Sequence, residues 1–294
     1  MKLRDLSMSA VGFRVLDPVL HDRCLQILFK PETAKGRAAK RNETVLKIII
    51  AVQLLCLGLM QPSVARASAD QADPGTLPRA CVILLHGLCR SGRSMRTTQR
   101  HLEKAGYAVI NLDYDATAMP IQAIAASQVA RTVNDCRDRG LAPIHFVTHS
   151  MGGLVVRAYL QDHELPAGSR VVMLAPPNQG SELADAALTH APGLFSLGGP
   201  AAGQLSTLSR TVQNGLKPVA AEIGIIAGSV SFNPLCSYLL PGKDDGRVSV
   251  MRARLPEMRD FIVVKTNHTL ILWDKNVCGQ VLYFLRTGTF SGTG

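Results

Sequence analysis

The sequence predicts an α/β protein built on one mainly parallel sheet of about six strands, with helices on both faces. The first observation is an alternation: from Arg79 onward, short apolar runs follow amphipathic segments in turn, the pattern of strands joined by crossover helices. The second is size, since 294 residues with 47% hydrophobic side chains can bury a substantial core. Six strands of about six residues then make one domain.

The strands are expected at Ala80 to Leu85, Tyr107 to Leu112, Ile144 to Thr148, Arg170 to Leu174, Glu222 to Ala227 and Asp260 to Lys265. Amphipathic segments between and after them predict helices at Ser94 to Ala105, Ile121 to Arg139, Gly152 to Gln161 and Asn276 to Arg286. Two stretches interrupt the rhythm: 178–218, rich in Gly, Pro, Ala, Ser and Leu, and 231–250. Long irregular insertions in a compact domain tend to be functional loops, so a lid is expected over about residues 180–218. No internal repeat is present.

A formal charge of +10 raises nucleic acid or acidic membranes as partners, so its distribution matters. Residues 1–69 hold 11 of the 32 Lys/Arg and 5 of the 22 Asp/Glu, which leaves the remainder only weakly basic. With one Trp and no aromatic residues interleaved with a basic run, nucleic-acid binding is excluded as a reading.

Ile48 to Met60 is an uncharged apolar run of 13 residues behind Lys40, Arg41 and Lys47, too short to span a bilayer comfortably. Ala65-Arg66-Ala67 and Ala67-Ser68-Ala69 follow it with the small-x-small pattern of a signal-peptidase site. The expected organisation is a basic extension (1–43), a signal or membrane-targeting segment (44–69) and a catalytic domain (70–294). Export to the periplasm or medium is expected, with membrane association through residues 48–60 as the alternative outcome.

Beyond the signal lie Cys81, Cys89, Cys136, Cys236 and Cys278, an odd number that leaves at least one unpaired in an oxidising compartment. Cys236 and Cys278, alone in the C-terminal third, are the expected disulfide, and Cys81 reads as a small buried hydrophobe. No C-x-x-C spacing points to zinc.

The strongest chemical signal is Ile144-His145-Phe146-Val147-Thr148-His149-Ser150-Met151-Gly152-Gly153, an apolar strand running straight into a helix. A serine at such a turn is held in strained geometry with its hydroxyl exposed, and the N–H of Met151 at the helix start points at a developing oxyanion. The pattern is G-x-S-x-G with Thr148 in place of the first Gly. Upstream, Leu85-His86-Gly87-Leu88 ends the first strand, where this architecture supplies a second oxyanion donor, here the Leu88 N–H. His86 is assigned to shaping that loop. In the chain order Ser, acid, His, the acid falls on Asp244 or Asp245 in the Gly-flanked turn after the fifth strand. The base falls on His268, just beyond the last strand and before the last helix.

Together these segments resemble the α/β-hydrolase lipases and esterases, particularly small bacterial lipase-like proteins with F-V-T-H-S-M-G-G, L-A-P-P-N-Q-G-S and T-H-T-L-I-L segments, over roughly residues 80–290. In that group Thr at position 148 is normal, and Asp245-Gly246-x-Val248 looks like the D-G-x-V turn of bacterial lipases. The resemblance implies an α/β-hydrolase fold lacking the first strands of the full form, a Ser150, Asp245, His268 triad, and hydrolysis of small or lipid acyl esters without metal or organic cofactor. An amidase or acyltransferase on the same acyl-serine is the enzymatic alternative, and a non-catalytic lipid-binding relative would be marked by loss of a triad residue. Arg157 and Asn178-Gln179-Gly180 look like signature positions for which a helix arginine paired with a local acid, and a turn, are adequate structural readings. The oligomeric state is left open.

The mature protein recovered from cell fractions is expected to begin after Ala67 or Ala69 and to keep about 225 residues. Mass-spectrometric determination of its N-terminus checks this; a cytoplasmic chain still beginning near Met1 would exclude export.

Overall fold

A computed structural model describes residues 80–209 and 215–292, so the expected basic extension (1–43) and the expected targeting segment (44–69) lie outside the described residues. Strands β1 (Cys81–Leu85), β2 (Ala108–Leu112), β3 (Ile144–His149), β4 (Arg170–Leu174), β5 (Glu222–Gly228) and β6 (Asp260–Val264) form one sheet in the order β2-β1-β3-β4-β5-β6. Every pairing is parallel. All six fall within a residue or so of the predicted runs.

Helix α1 is Arg96–Lys104; α2 runs over 121–138 with a π-helical turn at Ala125–Val129; α3 is Met151–Tyr159 and α4 Glu182–His190. Beyond the fifth strand come α5 (Pro234–Leu239) and α6 (Lys275–Thr287). The last starts where Asp274 accepts hydrogen bonds from the N–H groups of Asn276 and Val277, an N-cap contributing about 1 kcal/mol.

Along β1, Cys81, Ile83 and Leu85 enter a core shared with Ile121 and Val133 of α2, Phe146 of β3 and Val155 of α3. Val82 and Leu84 enter a second core with Leu102 of α1, Val147 of β3, and Val281 and Phe284 of α6. Because both faces are covered, β1 has no polar side, which is why it reads as an unbroken apolar run. Removing a fully buried ring such as Phe146 or Phe284 would cost about 3–5 kcal/mol.

After β1 the chain leaves toward the face covered by α1; after β3 it leaves toward the face covered by α3. Adjacent parallel strands whose connections depart to opposite faces open a crevice beyond their carboxyl ends. That crevice lies between Leu85-His86-Gly87 and His149-Ser150.

The interruption expected to be a lid is not irregular among its described residues. It holds α4, short helical turns at Pro192–Phe195 and Gly199–Gly203, and a small core of Ala184, Ala187, Ala191, Phe195 and Ala202 against Leu88 and Leu205. Ser181 caps α4 through the Leu183 N–H, and Asp185 accepts from Ser206 Oγ, Thr207 N and Thr207 Oγ1, closing the segment on itself. Among the described residues no helix is long and apolar enough to cross a membrane.

The expected Cys236–Cys278 disulfide is corrected: all five described cysteines are free. Cys236 sits on α5, which packs against α4, whereas Cys278 sits on α6, which packs against β4 and α1. The sulfurs that meet are those of Cys81 on β1 and Cys136 on α2, 2.7 Å apart. Closeness in sequence misled here, because a crossover connection brings together residues 55 positions apart.

His145 of β3 is buried and accepts the Arg170 N–H at its Nδ1 (3.0 Å). Burial, then the charge of Arg170, pushes its pKa down to about 4. Below about 6.5 the unfolded chain takes up a proton that the folded chain refuses, so stability falls as pH drops from 6.5 toward 4, by up to about 3 kcal/mol. Urea unfolding across this range should show a shallower pH slope for His145→Asn, which keeps an acceptor; identical slopes would count against the assignment.

Candidate active site

Ser150 stands between β3 and α3 with φ 52° and ψ −124°, a backbone conformation that costs about 1–3 kcal/mol for a non-glycine residue. Its N–H donates to Leu174 O (2.9 Å), so the neighbouring strand holds the turn. Met151 opens α3, where an N–H has no acceptor within the helix. Gly152 lets α3 press on the end of β1: a Cβ there would lie 2.8 Å from Leu85 O. Thr148, at the position where Gly is usual, is fully buried and faces Gly153.

Gly87 brings the loop after β1 against this turn, since an added Cβ would lie 3.0 Å from Ser150 Cβ and 3.1 Å from His149 Nδ1. Leu88, next in the chain, lines the same crevice. His86 is buried at the root of the loop, stacked on Tyr114 at 4.2 Å. Its Nδ1–H donates to Gly87 O (2.9 Å), its Nε2 accepts the Tyr114 N–H (3.3 Å), and the Tyr114 hydroxyl donates to His86 O. These bonds shape the loop.

The acid and the base arrive from β5 and β6. Asp245 is buried; its Oδ1 accepts the N–H groups of Arg247 (2.9 Å) and Val248 (2.8 Å), and its Oδ2 accepts His268 Nδ1–H (2.7 Å). A carboxylate only accepts, so the proton sits on Nδ1 and His268 Nε2 faces Ser150 Oγ as an acceptor, 3.0 Å away. Asp244 points elsewhere: its Oδ1 accepts from Gly246 N (2.7 Å) and Ser237 Oγ (3.1 Å), and so shapes the turn. The structure thus brings Ser150, His268 and Asp245 into one hydrogen-bonded line and leaves Asp244 out of it. Such a line can move a proton off a serine hydroxyl.

His149 carries a role that the sequence did not single out. Its Nε2–H donates to His268 O (2.9 Å), and the two rings lie 4.8 Å apart. Burial, then the charges of His268 and Arg90, holds its pKa well below the ordinary value, so it stays neutral and ties the serine turn to the histidine loop. Gly228, at the end of β5, was also missed. A Cβ there would lie 2.6 Å from Thr266 O and 2.8 Å from Asp245 Cβ, so only glycine lets the acid and base loops close together.

The crevice opens into a cleft of about 820 Å³ counted out to its mouth. Leu88, Leu183, Ala184, Ala187, Phe195 and Leu205 make an apolar wall, and Arg90, Arg247, Ser150 and His268 also border it. Arg157 lies outside: it donates to the backbone carbonyls Asn178 O and Leu216 O, and the charge of Glu257 also bears on it. Asn178 and Gln179 donate to Ala253 O and Arg254 O, a structural turn.

A strained serine at the switch point of a parallel sheet, facing a histidine beyond the last strand, defines an α/β-hydrolase scaffold. Residues 82–275 match the model of the alpha/beta hydrolase family, and the chain belongs to that family. Among solved structures it is similar to the mature form of a Bacillus licheniformis lipase, with 22% identity over 74% of this chain and 96% of that one, and a TM-score of 0.60. The propeptide form of that lipase gives 23% identity, 76% and 53% coverage, and 0.60. A Legionella pneumophila phospholipase gives 16% identity, 72% and 60% coverage, and 0.55. At these identities the likeness shows the fold. No curated protein matched the sequence.

Gly228→Ala should force the loops of Asp245 and Thr266 apart and cost about 1–3 kcal/mol. Denaturant unfolding of the variant measures it; an unchanged midpoint would show that the loops have room to spare.

Proposed function

We propose that the protein hydrolyses carboxylic esters of lipid or other acyl substrates through an acyl-serine intermediate. The observation that carries this reading is His268, which reaches Ser150 Oγ at 3.0 Å on one side and Asp245 at 2.7 Å on the other, at the floor of a cleft with an apolar wall. Ser150 Oγ attacks the ester carbonyl as His268 Nε2 takes its proton; Asp245 holds the imidazole in the correct tautomer and stabilises its charged form. The negative charge that develops on the carbonyl oxygen is met by the N–H groups of Met151 and Leu88. Collapse expels the alcohol, protonated by His268, and water then repeats the sequence on the acyl-enzyme.

The lipid part of the reading rests on the wall formed by α4, Phe195, Leu205 and Leu88, which offers an acyl chain aliphatic and aromatic contacts. Export belongs to the same reading and rests on residues 40–69 alone.

Ser150→Ala should abolish both turnover of p-nitrophenyl esters and labelling by a fluorophosphonate, a loss on the order of a million-fold in turnover. Asp245→Asn should lose about four orders of magnitude and Asp244→Asn far less, because only Asp245 reaches His268. Labelling retained by folded Ser150→Ala, or a reversal of the two acid variants, would overturn the assignment.

A further inference from the structure

Two arginines, Arg90 and Arg247, border the cleft beside Ser150 and His268, and no Asp or Glu is among the residues lining it. Arg90 comes from the loop after β1, and its Nη2–H donates to Thr269 Oγ1 (2.8 Å), the residue next to His268. Arg247 comes from the acid turn, with its N–H on Asp245 Oδ1 and its carbonyl accepting Ser181 Oγ (2.6 Å). The two are close enough to feel each other: burial, then the charge of Arg247, lowers the Arg90 pKa to about 10. Both charges also bear on His149, on the histidine side of the site.

The position of the charge says which part of a substrate meets it. His268 must return its proton to the leaving oxygen, so the alcohol half of an ester lies on the His268 side, beside Thr269 and Arg90. The apolar wall is left for the acyl half. We propose that Arg90 and Arg247 receive an anionic oxyacid group on the alcohol half of the substrate, making the preferred substrate an acyl ester of a phosphate- or carboxylate-bearing alcohol. This rests on the ester-hydrolase reading above. A guanidinium offers five N–H donors in a planar fork that matches phosphate and carboxylate, so Arg90 can keep its bond to Thr269 and still bind the anion.

The test compares three decanoyl esters presented below their micelle concentrations: those of glycerol, glycerol 3-phosphate and glyceric acid. Both anionic esters should exceed the neutral one in kcat/KM by about ten- to a hundredfold, the effect of one or two charge-assisted hydrogen bonds, expressed mainly in KM. The ratio should collapse toward one in Arg247→Gln and Arg90→Gln. Preference for the phosphate ester alone would assign the site to a phosphate headgroup, and preference for the glycerate alone to a carboxylate. Equal use of all three esters by the unaltered enzyme, or variants that lower all three rates by one factor, would overturn the proposal while leaving the hydrolase reading intact. Calorimetric binding of glycerol 3-phosphate to the unaltered protein, lost in the double variant, separates the two readings from the other side: binding without hydrolysis of any ester would sink the hydrolase and keep the anion receptor.

Discussion

Asp245 is a carboxylate taken out of water, and the site depends on how that charge is satisfied. A buried unpaired charge costs several kcal/mol, so the turn around it must deliver donors, and it delivers the N–H groups of Arg247 and Val248 together with His268 Nδ1–H. The same two loops are joined along the backbone, with His268 N–H donating to Asp245 O at 3.0 Å. Acid and base are thus one rigid unit. That unit can form only because Gly228 leaves no side chain between them.

From His268 the constraint passes to the serine turn. His149 fastens the histidine loop to the end of β3, and Gly87 lets the loop after β1 rest against both His149 and Ser150. The left-handed backbone at Ser150 is held by elements that are each anchored elsewhere: the turn by Leu174 O, α3 by its packing into the core beneath β1 and β3. Strain of this size persists where surrounding structure over-determines the conformation. The depth of the two cores therefore matters to the geometry of the serine turn as well as to stability.

Chemically the cleft has two characters. The helical cap from Ser181 to Leu205 presents small and apolar side chains, while the turns near His268 present arginines. The cap is closed on itself through Asp185 and through the Ser181–Leu205 backbone bond.

The sequence by itself determined the sheet, because strands covered on both faces must be apolar and helices between them must be amphipathic, and both patterns are local. It also showed the serine turn, since Thr148 to Gly153 carries its own geometry, and it showed that a histidine follows β6. Where the information was not local, the sequence was silent or misleading. Asp244 and Asp245 are adjacent acids in one polar turn, and the resemblance favoured the second; only the folded turn shows that one carboxylate faces Gly246 and the other His268. The cap from 182 read as irregular because Ala, Gly and Pro leave a weak helical period, and its small core exists only against Leu88 from a distant loop. The pairing expected of Cys236 with Cys278 failed because crossovers, not proximity along the chain, decide which sulfurs meet. His149, Gly228, Arg90 and Arg247 acquire their meaning from contacts that reach up to 179 residues along the chain, and hydrogen bonds and charge act through space while sequence periodicity reports only on the nearest turn or strand.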